Sequence, residues 1–189
     1  MTRERIIAAA AKVVARDGYQ KTSISKIAAE ARIASGSIYY YYANREELLS
    51  ELLPTLGRDL IRYIQDRVSH LPWGSARELA GFDAYFDYLN EYPEFYRVFT
   101  EAQVYVPGAY ERLLKWIVKN YIHNLEDQSK YGSLKVEKED YETLAFMLAG
   151  IRNYASQMLN AAHGDREAAL KRMRRIYAQF LVEGIFKEE

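Results

Sequence analysis

A run of four tyrosines at positions 39–42 offers the clearest chemistry in this sequence of 189 residues. Successive residues of a helix lie about 100° apart, so four in a row cannot all be buried. Ile38 and Tyr42 stand four residues apart and are predicted to form the inner side of a short helix. That leaves Tyr39, Tyr40 and Tyr41 partly exposed, where hydroxyls can bond phosphate and rings can pack on thymine methyl groups. The run therefore predicts contact with duplex DNA.

Three small residues directly precede this run. Ser35, Gly36 and Ser37 would let the start of the helix approach a DNA groove closely, with backbone N–H groups directed at phosphate. Lys26 favours the same interpretation, because it occupies the third position of a preceding helix that Ser23 or its neighbour caps. A cation there opposes the helix dipole slightly, and a nearby phosphate would reverse that cost. The alternative for Lys26 is a lysine that meets only solvent.

Helices must position these groups, and the sequence predicts an all-α chain. Apolar residues recur at helical spacing over 2–17 and 24–31, and a third, very short helix is predicted over 35–42. Gly18 ends the first helix, since glycine readily adopts the left-handed conformation after a helix. Asn44 is the predicted cap of a long fourth helix. Two short helices with a three-residue connection between them predict a helix-turn-helix.

The charges are unevenly distributed, although the chain as a whole is neutral. Residues 1–45 hold eight basic and three acidic side chains, a net charge of +5, and the remainder carries −5. A basic head on an acidic body is typical of a protein that meets phosphate with one end. A basic stretch is also typical of a solvated face, so the charge is supporting evidence only.

Several residues between 6 and 49 follow a known pattern in combination. They are Gly18-Tyr19, Thr22-Ser23-Ile24, Ile27-Ala28, Ala31, Ile33, the run 35–42 and Asn44-Arg45-Glu46-Glu47-Leu48. Together they resemble the head of the TetR family of bacterial regulators. The resemblance covers about a quarter of the chain as sequence, and the helical remainder fits by pattern only.

The resemblance implies a three-helix helix-turn-helix head over 1–50 and a helical ligand-binding and dimerisation body over 51–189. It implies a homodimeric transcriptional regulator that binds double-stranded operator DNA, a repressor that a small-molecule ligand releases. Position by position, it implies phosphate contacts by Thr22, Tyr41 and Arg45, and a core position for Ile38 and Tyr42. The implied groove contacts are Ser35, Gly36, Ser37, Tyr39 and Tyr40.

Three positions depart from the family pattern. Arg32 stands where the family usually has glycine, so either its backbone tolerates that turn or the turn differs. Ala34 stands where a capping serine is common, which would leave the cap to Ser35. Ser35 itself replaces a frequent lysine, which removes one basic contact.

Five body helices are predicted, over 75–90, 93–104, 109–128, 138–162 and 165–187, with a hinge at His163-Gly164. The last two carry wide apolar stripes, which suit an intramolecular core and half of a four-helix dimer interface equally well. The resemblance favours the dimer. The predicted interface residues are Leu148, Ile151, Ala155, Met173, Ile176, Tyr177 and Phe180.

The middle helices carry more aromatic hydroxyls than a dry core accommodates, because each buried hydroxyl needs a partner. Ordinary core packing is the alternative for any one ring. Together the rings predict a pocket for a small, largely apolar or aromatic ligand. The predicted lining is Tyr85, Phe86, Tyr88, Leu89, Phe99, Tyr121 and Phe146, with Arg152, Asn153 and Gln157 as polar anchors.

Other classes of protein find less support. The chain has no cysteine, and its three histidines are scattered, so we expect no metal and no cofactor. We recognise no nucleophile–base set and no phosphate loop, so we expect no enzyme. The alternatives are a small-molecule binding protein or enzyme with a vestigial head, and a structural DNA-binding protein without a ligand. Neither a membrane-spanning run nor a signal peptide is visible, which favours a cytoplasmic protein.

Overall fold

The computed structural model describes residues 2–132, 134–161 and 164–187, and in those ranges the chain is helical, as predicted. The α-helices are α1 (Thr2–Asp17), α2 (Ile24–Ala31), α3 (Ser35–Ile38), α4 (Arg45–Val68), α5 (Ser75–Glu91), α6 (Glu94–Tyr105), α7 (Pro107–Ser129), α8 (Tyr141–Ala161) and α9 (Arg166–Phe180). Within the described ranges, none of them is long and apolar enough to cross a bilayer. His163 of the predicted hinge and Ala162 lie outside the described residues.

Contacts between residues divide the chain into two compact units. The first unit comprises the residues up to Ile61 together with Tyr88–Leu114, and the second comprises Arg62–Asp87 and the residues from Lys115 onward. The first unit therefore holds α1, α2, α3 and α6, and the second holds α8 and α9. A head that ends at residue 50, which the family resemblance implies, stays a prediction.

Helix α1 packs on α2 in the first unit. Its apolar spacing predicts the inner face correctly, and the facing residues of α2 are buried as well. The buried side chains include Ile6, Ala10, Val13 and Val14 of α1 and Ile24, Ile27, Ala28 and Ala31 of α2. Gly18 ends α1 with a φ of 82° and donates its N–H to the Val14 carbonyl at 2.8 Å. Glycine is needed there because side chains strain that conformation.

Side chains of α6 bind the backbone at the C-terminal end of α1. Nη1 of Arg97 donates to the carbonyls of Ala15 and Arg16 at 2.8 and 3.0 Å. Glu101 accepts the N–H of Tyr19 at 2.9 Å and also binds Nε of Arg97 at 2.6 Å. The last carbonyls of a helix have no partner within it, so Arg97 satisfies groups that would otherwise need water. No local pattern predicts this pairing, which joins positions about 80 residues apart.

Aromatic rings form the core of the second unit. The Phe82 ring lies 4.6 Å from the Tyr177 ring and 4.8 Å from the Phe86 ring, measured between centroids. Leu144 and Leu148 are buried on the inner face of α8. The predicted cap of α9 is confirmed, because the Asp165 carboxylate accepts the N–H of Ala168 at 3.0 Å.

The last helix ends earlier than predicted. After Phe180 the backbone widens into a π-helical turn, Leu181–Ile185, and leaves the helix. Lys135 donates hydrogen bonds to backbone carbonyls of this turn. Its N–H donates to the Ile185 carbonyl at 2.8 Å, and its ammonium donates to the carbonyls of Val182 and Glu183 at 2.9 and 3.1 Å. These contacts replace the bonds that further helical turns would have supplied.

Candidate functional site

Three of the four tyrosines are exposed, as predicted, although their helix is shorter than predicted. Helix α3 ends at Ile38, whose carbonyl accepts the N–H groups of both Tyr41 and Tyr42, at 2.9 and 3.1 Å. Ile38 and Tyr42 are buried, whereas the exposed fractions of Tyr39, Tyr40 and Tyr41 are 57%, 88% and 42%. The three exposed rings, hereafter the tyrosine surface, therefore project from a turn that a buried residue fixes at each end.

Gly36 lies exposed in α3, immediately before this turn. A Cβ at Gly36 would meet no atom within 4 Å, and its φ is not in the left-handed region. Neither packing nor backbone conformation among the described residues thus requires glycine. Close approach of an external surface supplies a reason, which is the role predicted for Gly36 and for its neighbours Ser35 (exposed) and Ser37 (half-buried).

Tyr42 joins the tyrosine surface to the core. Nε of Arg3 donates to the Tyr42 hydroxyl at 3.3 Å, and the Arg3 guanidinium lies 5.4 Å from the ring centroid. Arg3 also forms an ion pair with Glu51 of α4. Burial raises the pKa of Tyr42 above its ordinary value, so its hydroxyl stays neutral. The end of the turn is thereby tied to both α1 and α4.

The turn between α2 and α3 keeps the geometry that glycine usually provides. Arg32 has φ 53° and ψ 49°, and it is the non-glycine residue with positive φ in the described ranges. Such a conformation strains a residue with a side chain. The cap predicted for Ser35 is wrong, because Ala34 occupies the N-cap position of α3 and makes no side-chain hydrogen bond.

Thr22 and Arg45 are used inside the first unit. The Thr22 hydroxyl is buried and donates to the Gly18 carbonyl at 2.8 Å, and the predicted phosphate contact of Thr22 stays a prediction. Nε of Arg45 donates to the Thr22 carbonyl at 2.6 Å, Nη2 donates to the Tyr19 carbonyl, and Nη1 pairs with Glu46 at 3.2 Å. Arg45 therefore holds the connection between α1 and α2, and its phosphate contact stays a prediction.

Lys26 already has an acidic partner. Its ammonium lies 2.8 Å from the Asp17 carboxylate and 2.9 Å from the Lys21 carbonyl. Hydrogen bonds from Lys26 and Arg16 lower the pKa of Asp17 to about 2. Asp17 thus neutralises the cation that the sequence suggested for phosphate, although Lys26 remains partly exposed. Ser23 caps α2, as its oxygen accepts the Lys26 N–H at 3.3 Å.

A buried polar cluster in the second unit contains Glu78, Arg152 and Tyr177. Nη2 of Arg152 lies 2.6 Å from Oε1 of Glu78, and the Tyr177 hydroxyl donates to the same oxygen at 2.9 Å. The Tyr121 ring centroid lies 5.3 Å from the Arg152 guanidinium carbon. Burial raises the pKa of Tyr121 and of Tyr177. Arg152, a predicted ligand anchor, is therefore already paired within its unit.

The predicted pocket residues are divided between the two units. Tyr85, Phe86 and Tyr121 are buried in the second unit, and the first two rings meet edge-on at 5.2 Å. In the same unit Gln157 donates to the Asn153 side chain at 3.4 Å. The first unit contains Tyr88 and Leu89, which are buried, and Phe99, which stacks on Phe95 at 5.9 Å. A lining role for this set stays a prediction.

Phe146 departs from its predicted place. Half of its side chain is exposed, so the prediction that it lines the interior of the body is wrong. The reason is its register on α8, whose inner positions are Leu144, Ala145 and Leu148.

An exposed apolar strip runs along α8. Met147, Tyr154 and Met158 are exposed, and they share one side of the helix with half-buried Ile151. Ile176 of α9 has an exposed fraction of 61%. Large apolar side chains at helical spacing on a surface are typical of a face that another chain covers.

Two of the predicted interface residues are wrong. Leu148 and Tyr177 are buried inside the second unit, because each lies on the inner side of its helix, and neither is available to a partner. Ile151, Ala155, Met173 and Phe180 are half-buried, and for them and Ile176 the interface stays a prediction.

Known proteins are similar to this chain in sequence and in fold. The sequence model of the tetR family of bacterial regulatory proteins matches residues 6–52. The chain is 46% identical over 63 residues to the fatty acid metabolism regulator protein of Bacillus subtilis (strain 168), which covers 33% of this chain and 32% of that protein. It is 27% identical over 148 residues to the HTH-type transcriptional regulator YhgD of the same bacterium, which covers 76% of each.

The solved structure of the transcriptional regulator FadR from Bacillus subtilis in complex with stearoyl-CoA has the same fold. The TM-score is 0.77 at 21% identity, over 96% of this chain and 98% of that one. Sequence matches span about a third of the length of the first two curated relatives. The likeness at 46% identity therefore covers a third of the chain, and the likeness in fold covers nearly all of it.

Proposed function

We propose that this chain belongs to the tetR family of bacterial regulatory proteins, whose sequence model matches residues 6–52, and that it is a transcriptional regulator that binds double-stranded operator DNA. The tyrosine surface carries the proposal. Its rings are exposed, Ile38 and Tyr42 hold it on a rigid core, and Gly36 beside it has no internal reason to be glycine. Hydroxyls and rings held in this way suit the phosphates and base edges of a major groove.

We further propose that the regulator acts as a homodimer. A helix-turn-helix head usually reads two half-sites about one helical turn of DNA apart, so two heads are required. The apolar strip of α8 and Ile176 of α9 provide a face for the second copy. Symmetric pairing would bury each strip against its counterpart.

The ligand that we propose is small and largely apolar, and it releases the regulator from its operator. A fatty acyl group is the first candidate, because the fatty acid metabolism regulator shares the head sequence and FadR with stearoyl-CoA shares the fold. The buried rings of Tyr85, Phe86 and Tyr121 would contact the apolar part. A ligand can release DNA only if it prefers one conformation of the regulator over another.

The test of the DNA proposal is operator affinity. An operator is selected from random duplexes, and its Kd is measured by fluorescence anisotropy for Tyr40→Ala and Gly36→Glu. We expect each Kd to rise by about tenfold or more, since a good base contact contributes about 1–3 kcal/mol. Gly36→Glu places bulk and negative charge against the DNA. Affinity of the unaltered chain should fall steeply with salt, because phosphate contacts release counterions.

Tyr131→Ala is the matched control. Tyr131 is an exposed tyrosine of the second unit, so Tyr131→Ala removes the same kind of side chain from a different surface. Its Kd should equal that of the unaltered chain. If no duplex is selected, or if Tyr40→Ala and Gly36→Glu bind the selected operator as tightly as Tyr131→Ala, the assignment of this surface to DNA is wrong.

A further inference from the structure

A cavity of about 330 Å³ lies within the first unit. It is lined by the first turns of α4, by the corner between α6 and α7, and by Tyr19. Leu49 and Val106 are among the apolar residues of its wall, and Tyr19, Arg45, Tyr105 and Arg112 are among the polar ones. Cavities of this size hold single-ring molecules.

Tyr19 contributes a buried aromatic ring to this wall. Only 1% of its surface is exposed, and its hydroxyl oxygen is buried without a hydrogen-bond partner among the described residues. The ring stacks on Tyr105, with centroids 6.1 Å apart and planes 11° from parallel. Tyr105 is itself partly exposed, so the stacked pair presents an aromatic surface on which the ring of a guest can pack.

Arg112 brings charge to the same wall. It is exposed and forms no ion pair or hydrogen bond within the described part of the chain. Arg45, in contrast, already bonds the carbonyls of Tyr19 and Thr22. The side chain of Glu46, which also lines the cavity, is mostly exposed and pairs with Arg45. The cation available to a guest is therefore Arg112.

We propose that this cavity binds a small aromatic carboxylate. Arg112 pairs with the carboxylate, since arginine binds such groups through parallel hydrogen bonds. The guest's ring packs against Tyr105 and Leu49. This site lies wholly in the first unit and is distinct from the buried rings of the second unit proposed above for the acyl ligand.

Occupation of the site would act on the DNA-binding head. Tyr19 and Thr22 belong to the connection between α1 and α2, and Arg45 of the cavity wall holds both of their carbonyls. A guest that pairs with Arg112 and packs on Tyr105, whose ring stacks on Tyr19, would fix this connection against the start of α7. The effect on operator affinity rests on the proposed function, but the binding itself does not.

The test titrates the full chain with benzoate and with benzamide, its neutral counterpart, by calorimetry and by amide NMR. We expect benzoate to bind, benzamide to bind about tenfold more weakly because it lacks the charge for Arg112, and the amides of Tyr105 and Gly108 to shift. Arg112→Gln and Gly108→Leu should each weaken benzoate binding about tenfold. Gly108 belongs to the cavity wall, and a Cβ there meets only Nη1 of Arg112, at 3.5 Å, so the backbone has room for the leucine.

Lys119→Gln is the matched control, because Lys119 is an exposed cation two turns further along α7 and lies outside the cavity wall. It should bind benzoate as the unaltered chain does. The site is wrong if benzoate does not bind, if benzamide binds equally well, or if Arg112→Gln and Gly108→Leu leave binding unchanged. Operator affinity is measured separately. A chain that binds no operator would contradict the proposed function but not the benzoate site.

Discussion

Two groups of tyrosines, one in each unit of this chain, occupy opposite environments. In the first unit Tyr39, Tyr40 and Tyr41 project from a turn into solvent. In the second unit Tyr121 and Tyr177 are buried beside the Arg152–Glu78 ion pair. An exposed hydroxyl is available to a partner molecule, whereas a buried one must be accommodated by the protein itself. The same residue type is thus available for recognition in one group and supports internal structure in the other.

This comparison separates binding from stability. Substitutions on the tyrosine surface should change operator affinity and leave folding intact, because they remove no internal contact. Substitutions around the Arg152–Glu78 pair should change folding first, because they leave buried charge or buried polar groups unpaired.

The largest effect is expected from Arg152→Ala. It leaves the Glu78 carboxylate buried without its cation, and breaking a buried pair in this way costs about 3–5 kcal/mol. Urea unfolding measures the loss. Arg174→Ala is the control, because Arg174 pairs with Asp83 at the surface, where an ion pair contributes about 0–1 kcal/mol. Equal losses in the two variants would contradict a buried structural cluster in the second unit.

The next effect concerns the surface that the second unit offers to another copy. Ile176→Asp should raise the dimer Kd about 100-fold, or about 2.7 kcal/mol, while helix content stays unchanged. The charge is tolerated in the monomer, because Ile176 is exposed there. Sedimentation at micromolar concentration measures it. Lys171→Asp, also on α9 but about 140° around the helix, should remain a dimer. A monomeric unaltered chain would contradict the interface.

Alkaline pH should reveal the buried tyrosines. Burial raises the pKa of Tyr121 above its ordinary value of 10, so the folded state keeps a proton that the unfolded chain releases. That stabilisation is complete below about pH 10 and is lost as pH rises further, at about 1.4 kcal/mol per pH unit for one group. Tyr121→Phe should remove this part of the slope in unfolding experiments between pH 9 and 11. The exposed Tyr131→Phe should keep it, and identical slopes for all three proteins would contradict the burial argument.

Local patterns predicted the helices and the tyrosine surface well. Helical spacing located α1 and α2, and the i and i+4 relation of Ile38 and Tyr42 identified the inner side of the turn. These features depend on residues within one or two helical turns, so the sequence carries them directly. The same reasoning predicted the caps at Ser23 and Asp165, which are also local.

Contacts between distant positions were not predictable in this way. Arg97 and Glu101 hold the end of α1 from about 80 residues away, and Glu78 pairs with Arg152 across 74. The inner and outer sides of α8 were also confused, because both sides carry apolar residues. Leu148 was predicted as interface and Phe146 as pocket, and the structure reverses the exposure that each role requires. Only packing against the rest of the unit distinguishes the two sides.

The smallest predicted effect is a gain in stability within the first unit. Arg32→Gly should raise the free energy of unfolding by about 1 kcal/mol, because the left-handed conformation at φ 53° costs a residue with a side chain about 1–2 kcal/mol and glycine loses part of that gain to chain entropy. Gly18→Ala provides the converse, since it places a side chain at φ 82° and should destabilise the same unit. Both are measured by urea unfolding. Within the described residues Arg32 forms no hydrogen bond or ion pair with the tyrosine surface, so Arg32→Gly should retain the turn and the exposure of Tyr40. We expect Arg32→Gly to be more stable and to bind the operator slightly more weakly, with a smaller salt slope, because one positive charge is lost. That result would show that stability and recognition are separate even within the head. A loss of stability on Arg32→Gly would show instead that the arginine side chain holds the turn, and the account of this turn as a strained glycine position would be wrong.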